Sequence, residues 1–174
     1  MKRYHSTLVM VAILLVVIFS DRTFAAGDWS WSSQTEGYYY AATVNAAGHV
    51  LGQYCYFESG SCLYLVGIGT NCEPQSQYPA LVNSDVGSAM VTLVCSHKFG
   101  NQYILAINSF DDIDRLVREA TTIGFAVPMK NGEFKVCRFS LIGAEKSINT
   151  MREAAERRLN RKPENRSLPA EERL

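Results

Sequence analysis

The sequence predicts a mainly β protein: an antiparallel β-sandwich with one short internal helix and a C-terminal amphipathic helix. Tyr, Val and Leu recur with a period near two through YYYAATV, HVLGQYCYF and CLYLVGI, as half-buried strands require. Turn signals return about every 8 to 12 residues, the spacing of a sandwich or barrel. Two segments, after Ser109 and after Ala144, carry apolar residues at helical spacing instead.

The chain of 174 residues opens with Lys2 and Arg3, an apolar run from Leu8 to Phe19, and small residues at Ala25 and Ala26. This is the pattern of a secretory signal peptide over residues 1–26. The run falls well short of the roughly twenty residues that span a bilayer, and no later segment is longer and as apolar. Residues 27–159 are expected to form one domain, and 160–174 a disordered charged tail. The expected location is therefore periplasmic or secreted.

Within the domain, Trp29 to Ser33 gives a first short strand and Tyr38 to Val44 a second. A turn at Asn45 to Gly48 leads into the strand His49 to Phe57, and a turn at Glu58 to Ser61 into Cys62 to Ile68. A loop from Thr70 to Pro79 precedes ALVN. A turn through Ser84 to Ser88 then leads to AMVTLVC, and another at His97 to Asn101 to QYILAI. Ser109 and Asp112 make an N-terminal capping arrangement for the first helix, with Phe110, Ile113, Leu116, Val117 and Ala120 as its apolar stripe. IGFAVPM and EFKVCRFSL form a hairpin through Lys130-Asn131-Gly132, and Pro128, lacking a ladder donor, belongs near a strand end. The second helix runs from Ala144 to Leu159, with Ile148, Met151, Ala155 and Leu159 on one side.

Net charge is zero, but residues 27–143 hold six Lys or Arg against ten Asp or Glu, whereas 144–174 hold eight against six. A mildly acidic body argues against nucleic acid as a partner, because phosphate neutralisation needs a basic face. All five cysteines, Cys55, Cys62, Cys72, Cys95 and Cys137, follow the signal segment and are disulfide candidates in an oxidising compartment. With an odd number, at least one is left over. A two-residue turn at Ser59-Gly60 would set Phe57 opposite Cys62 and leave Cys55 diagonal to it, about 7 to 8 Å away, too far for an unstrained bridge. Cys55–Cys62 then needs a looser turn, and Cys62–Cys72 and Cys72–Cys95 are equally open.

No residue set stands out as catalytic, and no cofactor or metal is expected. Cys137 lies beside Arg138, but successive strand side chains face apart, so the arginine does not activate the thiol. His49 and His97 are the only histidines after the signal segment. Cys95-Ser96-His97 matches no common zinc spacing, and Asp111, Asp112 and Asp114 lack the glycine and distant glutamate of a calcium loop. Tyr38, Tyr40, Tyr54 and Tyr56 are the candidate binding surface, since alternation sends some of the tyrosines of neighbouring strands outward.

The hairpin and second helix resemble the bacterial invasion-associated locus B proteins. The likeness runs from about Ile107 to Met151, through Asn131-Gly132, Arg138-Phe139-Ser140-Leu141, Gly143 and Ile148, with an early tryptophan, Trp29 or Trp31, also similar. It implies a periplasmic or surface-associated β-sandwich, linked in some members to host-cell entry, and carries no catalytic residues. The chain departs from the family in lacking the cysteine that commonly follows the tryptophan, so no disulfide pairing is carried over.

The function expected is that of an exported, non-enzymatic envelope or surface protein that binds a protein or glycan partner, with host-cell interaction as one setting. The oligomeric state is left open. The alternatives are a secreted hydrolase or thiol-dependent enzyme, and an inhibitor or immunity-type protein that presents the loop Asn71 to Tyr78.

Overall fold

The computed structural model describes residues 29–100 and 102–160; the expected signal segment and the tail beyond Asn160 lie outside the described residues. In chain order the elements are β1 (Ser30–Ser32), β2 (Tyr38–Val44), β3 (Val50–Tyr56), β4 (Ser61–Gly67), β5 (Gln77–Ser84), β6 (Ser88–Phe99), β7 (Gln102–Asn108), α1 (Phe110–Glu119), β8 (Thr122–Pro128), β9 (Phe134–Ser140) and α2 (Ala144–Leu159). All nine strands join one antiparallel sheet in the order β1-β2-β3-β4-β7-β6-β5-β8-β9. No helix among the described residues is long and apolar enough to cross a membrane.

The sheet curls until its two ends meet. The Trp29 indole N–H donates to the Ser140 carbonyl at 3.0 Å, and the Asn45 amide donates to the Arg138 carbonyl at 3.0 Å. The two layers of the fold are thus two halves of one sheet. Their inner residues, Leu51, Val66, Leu93, Leu105, Phe125 and Phe139 among them, share one apolar core. Helix α2 packs on β1 to β3 and α1 on β4, β6 and β8, through Ile113, Leu116, Val117, Ile148, Met151 and Ala155, all buried.

Three local expectations change. Strand β6 runs on to Phe99 with an irregularity between Cys95 and Lys98, so the turn placed at His97 contracts to the chain beyond Phe99. Ser109 stands at the start of α1 but turns its hydroxyl onto the Asn108 carbonyl and caps nothing. Phe110 and Leu159 are exposed rather than part of the buried stripes; Phe110 instead lies 5.5 Å from the Tyr64 ring, with the Arg152 guanidinium over its own ring at 5.7 Å.

A polar cluster ties the helices to the sheet. The fully buried Tyr64 of β4 donates its hydroxyl to Asp114 of α1 at 2.8 Å. Arg152 of α2 donates Nε to the fully buried Gln53 of β3 at 2.7 Å and also pairs with Asp114. Burial first, and then the adjacent Asp114 charge, raises the Tyr64 phenol well above its ordinary range, so it stays a donor. Arg152→Met keeps the apolar stem but leaves Gln53 and Asp114 without their shared donor. Urea unfolding should show a loss of about 2 to 4 kcal/mol with an unchanged slope, and a loss under about 0.5 kcal/mol would mean that solvent already serves these groups.

The turn joining β2 to β3 also sits at the closure. Asn45 accepts on Oδ1 from the amides of Ala47 and His49 at 3.0 and 2.9 Å, and its amide reaches β9. His49 is buried behind it, and a Cβ on Gly69 would stand only 3.0 Å from its Nε2. Burial, and secondarily the positive charge of Lys135, lowers the imidazole pKa below its ordinary 6.5. Protonation is therefore opposed in the fold and unopposed in the unfolded chain. Stability is unaffected above pH 6.5 and falls as pH drops below it. Between about pH 7.5 and about pH 5, His49→Gln should lose less stability than the parent. Equal losses would show that His49 is not the group responsible.

Candidate functional site

Strict alternation along β2 and β3 sorts their tyrosines. Tyr39 points inward and meets Phe57 edge-on at 4.8 Å, with the Arg158 guanidinium over Phe57 at 4.7 Å. Tyr38, Tyr40, Tyr54 and Tyr56 all point outward. The register sets Tyr38 opposite Tyr56 and Tyr40 opposite Tyr54, which places the four rings in one cluster. Centroids lie 5.3 Å apart for Tyr38 and Tyr56, 5.7 Å for Tyr38 and Tyr54, and 5.5 Å for Tyr40 and Tyr54, the last pair nearly parallel. All four are half-buried, each shielding its neighbours while keeping part of its surface in solvent.

Small residues flank this cluster. The next pair along the ladder is Ala42 and Gly52, and a Cβ on Gly52 would come within 2.6 Å of the Ala42 Cβ. Only glycine permits that approach. Ser32 stands opposite Tyr40 on one side and Leu63 opposite Tyr54 on the other. Burial, and then the neighbouring Tyr38, raises the phenols of Tyr54 and Tyr56, so both present neutral hydroxyls. Apolar ring faces with hydroxyls at their margins suit ligands that offer C–H surface beside polar groups, such as sugars or extended peptides.

The cysteines are otherwise engaged. Cys55 and Cys62 form a bridge directly across β3 and β4, and Cys72 bridges to Cys95. The first is possible because four residues, 57–60, join the strands, and the looser turn moves Cys55 opposite Cys62 in place of Phe57. Cys137 is not a bridge end; it is the free thiol, buried in the core. Burial chiefly pushes its pKa up to about 11, against smaller opposing effects of the Phe125 backbone and Lys135. A thiol so placed makes almost no thiolate near neutrality and is unsuited to nucleophilic work.

Cys95, tied to Cys72, is no metal ligand, and the adjacent His97 contacts Ser96 at the exposed end of β6. Asp114 belongs to the polar cluster under the helices. Among the described residues, no three or more His, Cys, Asp or Glu side chains gather as a metal site.

A groove was not anticipated from the sequence. Loop 68–76, held to β6 by the Cys72–Cys95 bridge, faces the β8–β9 hairpin across a groove of about 680 Å³. Its walls lie some sixty residues apart in the chain, so no local pattern shows it. One signal was present: β9 carries apolar residues on both faces, Phe134 and Val136 outward, Cys137 and Phe139 inward.

No family model and no curated protein matches the chain. Among solved structures, the fold is similar to the crystal structure of invasion associated protein B from Bartonella henselae. The TM-score is 0.55 at 13% identity, over 76% of this chain and 96% of that one. This is a likeness of fold.

The cysteine geometry predicts that iodoacetamide at pH 8 leaves the native protein unlabelled and marks one site, Cys137, once the chain is unfolded without reductant. Non-reducing peptide mapping should recover 55 with 62 and 72 with 95. Rapid native labelling of Cys137 would contradict its burial.

Proposed function

We propose that the protein is an exported, non-enzymatic interaction protein of the bacterial envelope or surface, and a divergent relative of the invasion-associated locus B proteins. It binds a protein or glycan partner through the outward face made by Tyr38, Tyr40, Tyr54 and Tyr56. The observation that carries the reading is the clustering of four half-exposed tyrosines on one face of a strand pair, aromatic surface of the kind that concentrates binding energy. Export is supported by the amino-terminal signal pattern and by two bridges that suit an oxidising compartment. A setting at the host surface is supported by the fold likeness to an invasion associated protein and by the sequence likeness around the hairpin. The thiol-dependent alternative is weakened by the burial of Cys137.

The test is binding of the labelled protein to host cells and to a glycan array. The double variant Tyr40→Ala, Tyr54→Ala should bind at least roughly tenfold more weakly while melting cooperatively, because two stacked contacts are lost. Tyr→Phe changes at the same positions separate ring stacking from the hydroxyls. Undiminished binding by the folded alanine variant would remove the tyrosine face from the function.

A further inference from the structure

The last strand has two unlike halves along its outer edge. Odd-numbered residues of the hairpin bond toward β8: the Leu141 amide donates to Thr121 and the Met129 amide donates to Glu133. Even-numbered residues therefore turn their backbone away from β8, as the caps on the Arg138 and Ser140 carbonyls show. By the same two-residue period, the N–H and C=O of Phe134 and Val136 face that edge. No group among the described residues reaches them from that side.

Two features flank this open length. On the outer face, Phe134 is 65% and Val136 51% exposed. Val136 continues a cross-strand row through Ala126 and Leu81 to Met90. On the inner side, Lys135 lines the groove, whose apolar wall includes Ile68, Leu105 and Val127; Phe134, on the outer face at the start of the strand, borders it. Charges line the groove in balanced numbers: Lys130 pairs with Glu73 at 3.8 Å, and Lys135 accompanies Glu133.

We propose that the open half of β9 is a strand-addition site, taking an extended, uncharged peptide that pairs with Phe134 and Val136 and sends alternate large apolar side chains into the groove. Unpaired backbone donors and acceptors in a row are satisfied together by another strand, and exposed edges of this kind are otherwise protected. The balanced charges favour a neutral occupant over a polyanion or a polybasic chain. A partner strand antiparallel to β9 turns the residues opposite Lys135 and its odd-numbered neighbours inward, which sets the apolar alternation of the ligand. Trp29 and Asn45 end the site at Arg138. The site is separate from the tyrosine face and does not rest on it.

The probe is a blocked heptapeptide of alternating threonine and leucine, added to the purified protein and followed by amide hydrogen exchange. The amides of Phe134 and Val136 should exchange quickly in dilute protein and slow on adding peptide. Methylating the threonine amides, which face β9, should weaken binding roughly tenfold or more, whereas methylating the leucine amides should not. Val136→Pro removes an edge-facing N–H that β8 does not use, and should weaken binding similarly in a folded protein. If that variant does not fold, the methylated peptides decide alone.

Protection of both amides in dilute, peptide-free protein would mean that the chain itself fills the edge. Protection that rises with protein concentration would mean that a second copy does. Either result overturns the proposal, as would peptide binding that ignores threonine methylation. The tyrosine face takes no part in this readout, so each site fails or stands by itself.

Discussion

The architecture depends on the meeting of the two ends of the sheet. Trp29, just before β1, bonds to the end of β9, and Asn45, just after β2, bonds to its middle. Ser147 of α2 then donates to the Trp29 carbonyl at 3.2 Å, so the helix is fastened to the same seam. A nine-stranded sheet that stayed open would leave two edges and one apolar face without cover. Curling lets the inner faces of β2 to β4 and of β5 to β9 share one core, with the helices filling the side the strands do not reach.

The closure is incomplete, and that shapes the surface. Among the described residues, side chains rather than a tenth strand complete it, and they serve only the second half of β9. Among the described residues, nothing bonds to the outward backbone groups of the first half, which has the groove beside it. On the far side of the sheet, the curl turns the outer face of β2 and β3 into an independent surface, where alternation gathers the four tyrosines. The tyrosine surface and the unfinished edge thus lie on the outside, while titratable groups of the interior serve the fold. Cys137 is sealed, and Tyr64, Asp114, Arg152 and the Gln53 carbonyl oxygen bond to one another, while the buried Gln53 Nε2 has no partner among the described residues.

Features set by neighbouring residues were legible in the sequence. The range of β2 and that of α2 follow from local periodicity, and the outward set Tyr38, Tyr40, Tyr54 and Tyr56 follows from a period of two applied to paired strands. Features set by distant contacts were not. Nothing local distinguishes two stacked sheets from one curled sheet, because the difference lies in bonds between residues 111 apart in the chain. The Cys55–Cys62 bridge depended on whether two or four residues turn between β3 and β4, a choice that moves every opposing pair. Ser109 shows how a local preference yields: its hydroxyl turns back to Asn108 and α1 starts without a side-chain cap.

The closure is tested most directly by the two indole N–H signals in an amide exchange measurement. Trp29 is 8% exposed and bonded to Ser140, whereas Trp31 is 41% exposed. One indole proton should be strongly protected and show contacts to the end of β9, and the other should exchange at close to the rate of free indole. Two indole protons exchanging equally fast, with no contact from Trp29 to Ser140, would mean that the sheet is open and that the account of its core is wrong.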